Sequence, residues 1–376
     1  MSTIRMAALA LLGTTALPTF AQQKMPATRR APAPNFAVSG QLSHAPAGTR
    51  VLLATAGRQP VVLDSAATDA AGRFRLRGAV PGPDVYVLQV RGQRPTTGLA
   101  LAPGSRLQVR ADAAQLWRTG EVTGSAEAAA LSALNREHAR LMAHIEELAQ
   151  QRGQTADTAV QRRIQRDWDA TMAAFGAANL RLARGSSYLA PYAVYTYLSG
   201  VGSDVAFVDS ATARYARQWP ASPYTKKLLQ LQDRRRATAI GQPAPPVVLA
   251  DPQGQRMALS SLRGQYVLLD FWASWCGPCR QENAHLVQLY RQYRAKGFAV
   301  YSVSVDSKKA DWLKAIEQDG LTWPQVLDEP GERSVAANSY DVMEYPTTFL
   351  LDREGRILAK NLSGAALDKK LAELLP

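Results

Sequence analysis

The chain holds two cysteines, Cys276 and Cys279, with Gly277 and Pro278 between them, where an apolar run gives way to a helical pattern. Two intervening residues let both sulfurs occupy one helical turn, within disulfide reach. At a helix start, Cys276 lies beside backbone N–H groups that have no helical partner. Those groups and the helix dipole favour thiolate over thiol. Thiolate is the nucleophile of disulfide exchange. Cys279, one turn in, is expected to be more buried and to act as the resolving thiol. Two cysteines exclude a disulfide-rich scaffold and a four-cysteine zinc site. Half of a metal site is disfavoured because the four histidines, His44, His138, His144 and His285, are scattered. An inert structural disulfide is disfavoured because so short a loop removes little unfolded-chain entropy. Neither a metal nor a bound cofactor is expected.

The 376 residues are 46% hydrophobic and 20% charged, an ordinary globular mixture long enough for two or three domains. Residues 36–124 read as a β-rich domain, a small sandwich or barrel. Short apolar runs at 51–53, 74–76, 85–88 and 107–109 are punctuated by turns at 71–72, 81–83 and 103–104. Arg73-Phe74-Arg75-Leu76-Arg77 is written as a strand with one wet face. Residues 125–239 switch to helical spacing, with Leu131, Leu134, Leu141, Ile145 and Leu148 on one side of a first helix. Val160, Ile164, Trp168, Met172 and Phe175 mark a second. Tyr188, Tyr192, Tyr195 and Tyr197 follow at a spacing that predicts core rather than a sticky surface. Residues 240–376 alternate strands and helices, the pattern of an α/β layer. The expected fold is thus multi-domain: an N-terminal all-β domain, a central helical segment and a C-terminal α/β domain.

Residues 1–21 read as a secretory signal peptide, with Arg5, an apolar stretch over 6–18 and the small-residue site Thr19-Phe20-Ala21. The stretch is too short to span a bilayer, which takes about 20 residues. Residues 22–35, rich in proline and basic residues, read as a linker. The protein is therefore expected in the periplasm or cell envelope. The net charge of +13 is uneven: residues 1–239 carry 29 Lys+Arg against 15 Asp+Glu, whereas residues 240–376 carry 15 against 16. The basic excess either meets an anionic surface such as lipid head groups or acidic glycans, or forms a solvated arginine-rich face. Nucleic acid is not an expected partner, because export and the lack of an aromatic-interleaved basic motif argue against it.

Asp270-Phe271-Trp272-Ala273-Ser274-Trp275-Cys276-Gly277-Pro278-Cys279 resembles the active-site strand and turn of thioredoxin. Tyr345-Pro346-Thr347-Thr348-Phe349 resembles the family's cis-proline loop, which packs against the disulfide and pairs backbone with substrate. The resemblance is nearer to the exported TlpA/ResA-like branch. Gly241-Gln242-Pro243-Ala244-Pro245 and Leu259-Ser260-Ser261-Leu262-Arg263-Gly264 have that branch's look, and 67 positions separate Cys279 from Pro346, room for its insertion. It implies a thioredoxin-like fold over residues 240–376, with Trp275, Gly277, Pro278, Tyr345 and Pro346 as the substrate-binding surface. Tyr345 is bulkier than is usual at its position. Asp64-Ser65, Gly72-Arg73-Phe74 and Thr123-Gly124-Ser125 resemble a β-rich domain that often precedes such modules.

Proton traffic completes the expected site. Asp270 lies six residues before Cys276 on an apolar strand, and burial raises a carboxyl pKa toward the range useful near neutrality. It matches thioredoxin's buried aspartate. Glu282, three residues beyond Cys279, matches a glutamate that the exported branch places near its cysteines; the alternative is a first-turn acid favoured by the helix dipole. The expected activity is an exported thiol–disulfide oxidoreductase that reduces protein disulfides. The resemblance implies that a membrane thiol transporter supplies its electrons. Gly277-Pro278 is the dipeptide of the reducing thioredoxins. A peroxiredoxin shares the fold but needs Pro-x-x-x-Thr-x-x-Cys, and Leu269 and Ala273 stand in those places. An adaptor whose first two domains dock a partner is the rival of another class.

Overall fold

A computed structural model describes residues 33–56, 60–93, 96–200, 204–328 and 334–376. The expected signal peptide and most of the expected linker lie outside the described residues. The described chain divides into two compact units, 33–229 and 230–376.

In the first unit, β1 (Phe36–Ser43), β2 (Arg50–Thr55), β3 (Val62–Ala67), β4 (Arg73–Gly78), β5 (Asp84–Val90), β6 (Thr97–Leu101), β7 (Arg106–Asp112) and β8 (Glu121–Thr123) make two four-stranded sheets. Their orders are β4-β1-β7-β8 and β3-β2-β5-β6. Alternation sets the faces: Phe74 and Leu76 turn inward from β4 and Leu107 and Val109 from β7, meeting Leu53, Leu88 and Leu99 of the other sheet. The short helix α1 (Leu116–Thr119) leads into β8. Helices follow: α2 (Ala126–Gly153), α3 (Thr158–Ala183), α4 (Ala190–Gly200), α5 (Val205–Gln218) and α6 (Pro223–Ala237), the last crossing the boundary at residue 229. The Ser125 side chain accepts the Ala128 N–H to start α2, and Asp157 accepts from Ala159 and Val160 to start α3. Leu131, Leu134 and Ala178 join the β-sheet core, so strands and helices of this unit share one apolar interior. Tyr188, Tyr192 and Tyr195 pack against that interior, and Tyr197 packs against a smaller core of the later helices.

The second unit contains a seven-stranded sheet in the order β10-β9-β13-β12-β11-β14-β15. Its strands are β9 (Val248–Ala250), β10 (Arg256–Ala258), β11 (Tyr266–Trp272), β12 (Phe298–Ser304), β13 (Gln325–Leu327), β14 (Thr347–Leu351) and β15 (Ile357–Lys360). The helices are α7 (Gly277–Tyr293), α8 (Lys309–Asp319), α9 (Val335–Ser339) and α10 (Gly364–Leu374). β11 runs parallel to β12 and antiparallel to β14. All seven residues of β12 and all but Tyr266 of β11 are buried, as a sheet covered on both faces requires. Helix α7 begins at Gly277, because Cys276 itself is the cap.

The turn between β14 and β15 closes that hairpin at the edge of the sheet. Asp352 Oδ1 accepts the Arg356 N–H at 2.7 Å, and Gly355 adopts φ +77°, where a Cβ would fall on the Arg263 guanidinium. Gly355→Ala is expected to destabilise the protein by roughly 1–2 kcal/mol, since an L-residue strains in that region. Urea unfolding measures it, and an unchanged midpoint would show that the turn tolerates a side chain.

Candidate active site

β11 delivers the chain to the site and α7 carries it away. Cys276 and Cys279 are joined in a disulfide, with their Cα atoms 5.2 Å apart. Cys276 is the N-cap of α7: its sulfur accepts the Cys279 N–H at 3.2 Å. That sulfur therefore occupies the place where a helix best stabilises negative charge. Cys276 is 6% exposed and Cys279 1%. Gly277 and Pro278 are exposed, and Trp275 beside them is 62% exposed although it is a large aromatic.

The preceding turn is pinned at one residue. Asp306, just past the end of β12, accepts from the Ser274 N–H at 2.9 Å and the Ser274 hydroxyl at 2.6 Å. Arg280, from α7, donates to the Ser274 carbonyl at 3.2 Å. Arg280 is itself held by both oxygens of Asp319 at 2.5 and 2.7 Å, which raises its already high proton affinity. Ser274 thus has its backbone N–H, its carbonyl and its hydroxyl all engaged.

The second loop leads into β14. The Tyr345–Pro346 peptide bond is cis, and both residues are half-buried. The rings of Trp275 and Tyr345 meet edge to face, 6.0 Å apart, and so bring the two loops together.

Asp270 lies in the middle of β11, paired in register with Ser302 and Thr348, and is 3% exposed. Its Oδ2 accepts from the Ser302 hydroxyl at 2.9 Å, and Trp323 Nε1 donates to the same Ser302 oxygen at 2.9 Å. Burial pushes Asp270 up to about 7. The Ser302 hydrogen bond opposes that rise, and the charge of Glu282 adds to it. Glu282 sits in the second turn of α7, not the first, so the helix-dipole alternative does not describe it. Its Oε1 accepts the Gly364 N–H at 3.0 Å, where α10 begins, and lies 3.1 Å from His285 Nδ1. His285 Nε2 is 2.7 Å from Asp368 Oδ1. Burial disfavours the His285 cation, but the two carboxylates outweigh it and hold its pKa above the ordinary value.

All nine sequence-predicted site residues thus belong to β11, its turn, α7 and the loop before β14. Sequence reasoning missed Ser302, Trp323, Asp306 and Arg280. Asp306 carried a signal: it is a charged residue at the carboxyl end of an apolar strand, where α/β sheets place their sites. No group of residues suited to a metal ion occurs among the described residues.

Residues 240–360 match the family described as AhpC/TSA, and residues 36–131 match a domain of unknown function, DUF4369. The "Thiol-disulfide oxidoreductase ResA" of Geobacillus kaustophilus is 35% identical over 143 residues, 37% of this chain and 80% of the relative. The protein of the same name from Geobacillus thermodenitrificans is 38% identical over 121 residues, 32% of this chain and 68% of the relative. A solved thiol-disulfide oxidoreductase from Bacteroides fragilis is 40% identical, with a TM-score of 0.34, over 36% of this chain and 100% of its own.

The buried carboxyl makes stability depend on pH. An unfolded aspartate titrates near its ordinary value of 3.8, and Asp270 in the fold at about 7. Between those values the native state keeps a proton that the unfolded chain has released, so stability falls as pH rises. Asp270→Asn is expected to escape this loss, gaining up to ~4 kcal/mol on the parent from about pH 4 to about pH 8. Parallel stability–pH profiles from denaturant titrations would contradict the raised pKa.

Proposed function

From the premise that this chain belongs, through its C-terminal thioredoxin-like domain, to the ResA-type thiol–disulfide oxidoreductases, we propose that it is exported and reduces disulfides of envelope proteins. The Cys276 thiolate attacks one sulfur of a substrate disulfide. The substrate S–S bond breaks, a mixed disulfide forms and the first substrate thiolate leaves to take a proton. Cys279 then gives its proton to a carboxylate and attacks the Cys276 sulfur. The second substrate thiolate leaves, and the enzyme closes its own disulfide, two electrons poorer. Asp270 is the proton acceptor in this scheme, because a carboxyl held near neutrality both takes and returns a proton at working pH. Glu282 is the second carboxylate and acts on Asp270 through its charge.

The observation that carries the reading is the Cys276 sulfur at the N-terminus of α7, accepting the Cys279 N–H beside an exposed Trp275. Trp275, Gly277, Pro278, Tyr345 and Pro346 form the substrate-binding surface. Export is supported by the signal-like pattern of residues 1–21, and an oxidising compartment then requires a thiol donor at the membrane to restore the dithiol. The domain limits that accompany this reading are 36–124, 125–239 and 240–376.

Cys276→Ser is expected to abolish reduction of a protein disulfide, whereas Cys279→Ser accumulates mixed disulfides visible on non-reducing gels. Full turnover by Cys276→Ser would exclude the mechanism. Direction is read from the equilibrium with glutathione: a potential well below about −200 mV is expected, and one near about −120 mV would make the protein an oxidant.

A further inference from the structure

The arginine excess of the first unit has a definite address. The outward residues of β4 are Arg73, Arg75 and Arg77, and those of β7 include Arg106 and Arg110; all five are exposed. β1 lies between these two strands and turns Ala37, Ser39 and Gln41 to the same side. The register sets Arg77, Ala37 and Arg106 in one row, Arg75, Ser39 and Gln108 in the next, and Arg73, Gln41 and Arg110 in the third. Residues two apart on a strand are about 6.6–6.8 Å apart, and strands two apart in a sheet about 9.6 Å. Two rails of guanidinium groups therefore flank a floor of short side chains. A trough of about 510 Å³ opens over the second and third rows, lined by Ser39, Gln41, Arg73, Arg75, Gln108 and Arg110, with Asp69 and Ala66 and Ala67 of β3 at its side.

The rails are uncompensated. None of the five arginines has an ion-pair partner among the described residues. Three carboxylates stand at the margin. Asp69 spends its Oδ1 on the N–H groups of Ala71 and Arg73, Asp64 accepts the backbone N–H groups of Ser65 and Arg77, and Glu121 lies opposite Arg110 in register. Like charges brought together on one face cost stability, so this array is an unsatisfied demand for anions. Guanidinium groups meet carboxylates two bonds at a time.

We propose that this trough binds a strand of acidic polysaccharide, with carboxylates on both rails and sugar hydroxyls over Ser39, Gln41 and Gln108. The shape selects a linear chain. A bilayer surface is a poorer match, because this face has no exposed large apolar side chain among the described residues to enter the lipid interface. A nucleic acid strand would want aromatic stacking platforms, and the outward positions hold none. An acidic peptide adding as a strand would pair with the edge strand β4 and lie beside the rails, not over the floor between them.

The test uses the full chain and a polyuronate, alginate oligosaccharide, titrated by calorimetry at low and at physiological salt, with neutral dextran as control. Alginate is expected to bind, more weakly as salt rises. The triple variant Arg73→Ser/Arg75→Ser/Arg110→Ser is expected to bind at least tenfold more weakly. Arg162→Ser/Arg163→Ser/Arg166→Ser removes the same charge from the exposed side of α3 and is expected to bind as the parent does. Ser39→Glu, which sets a carboxylate on the floor without touching the rails, is expected to lose binding as well. Disulfide reduction is expected to be unchanged in all of them. Parent-like binding by the rail variant or by Ser39→Glu, or equal losses in both triple variants, would overturn the proposal. So would tighter binding to phosphatidylglycerol vesicles or to polyglutamate through the same arginines.

Discussion

Strand β11 is hydrogen-bonded along both edges and covered on both faces, so its end point is fixed before any chemistry is considered. Everything at the site is measured from that end point. The turn that follows presents Cys276 to the first turn of α7, where the sulfur substitutes for the hydroxyl or carboxylate that usually caps a helix. The capping acceptor and the sulfur proposed as nucleophile are thus one atom. Fold and reactivity share a requirement: whatever keeps α7 starting at Gly277 also keeps a negative charge favourable on Cys276.

The remaining polar groups divide by task. Asp306 and Arg280 grip Ser274 from two elements and shape the turn without reaching the sulfurs. Asp270 is the group whose proton affinity the fold changes most usefully. It sits among apolar residues with one hydroxyl donor, and that donor is oriented by Trp323, which occupies the Ser302 oxygen from the other side. A carboxyl with a single partner inside a sheet stays near neutrality; one with several donors would be driven down.

Local pattern carried much of this into view. The Cys-x-x-Cys spacing, the apolar run before it and the Tyr-Pro dipeptide located the disulfide turn and the loop beside it. The run Arg73-Phe74-Arg75-Leu76-Arg77 announced a half-wet strand, and β4 has that alternation. Pairing between distant segments was not visible. Nothing near Asp270 in the chain points to Ser302 or Trp323, because a register between parallel strands is decided by the whole sheet. The same holds for the basic excess. Its amount is a count along the chain, but its concentration on one face depends on β1 entering between β4 and β7. The sharing of one core by the strands and helices of the first unit was hidden for that reason too.

Glu282 joins two places that the chain keeps far apart. One of its oxygens closes the first turn of α10 through Gly364, and its charge is felt at Asp270. Helix α10 has no side-chain cap of its own, so it borrows one from the redox helix. The proton affinity at the centre of the sheet is therefore indexed to the seating of a peripheral helix. A change that unseats α10, though remote from β11 in the chain, would move the charge that Asp270 feels.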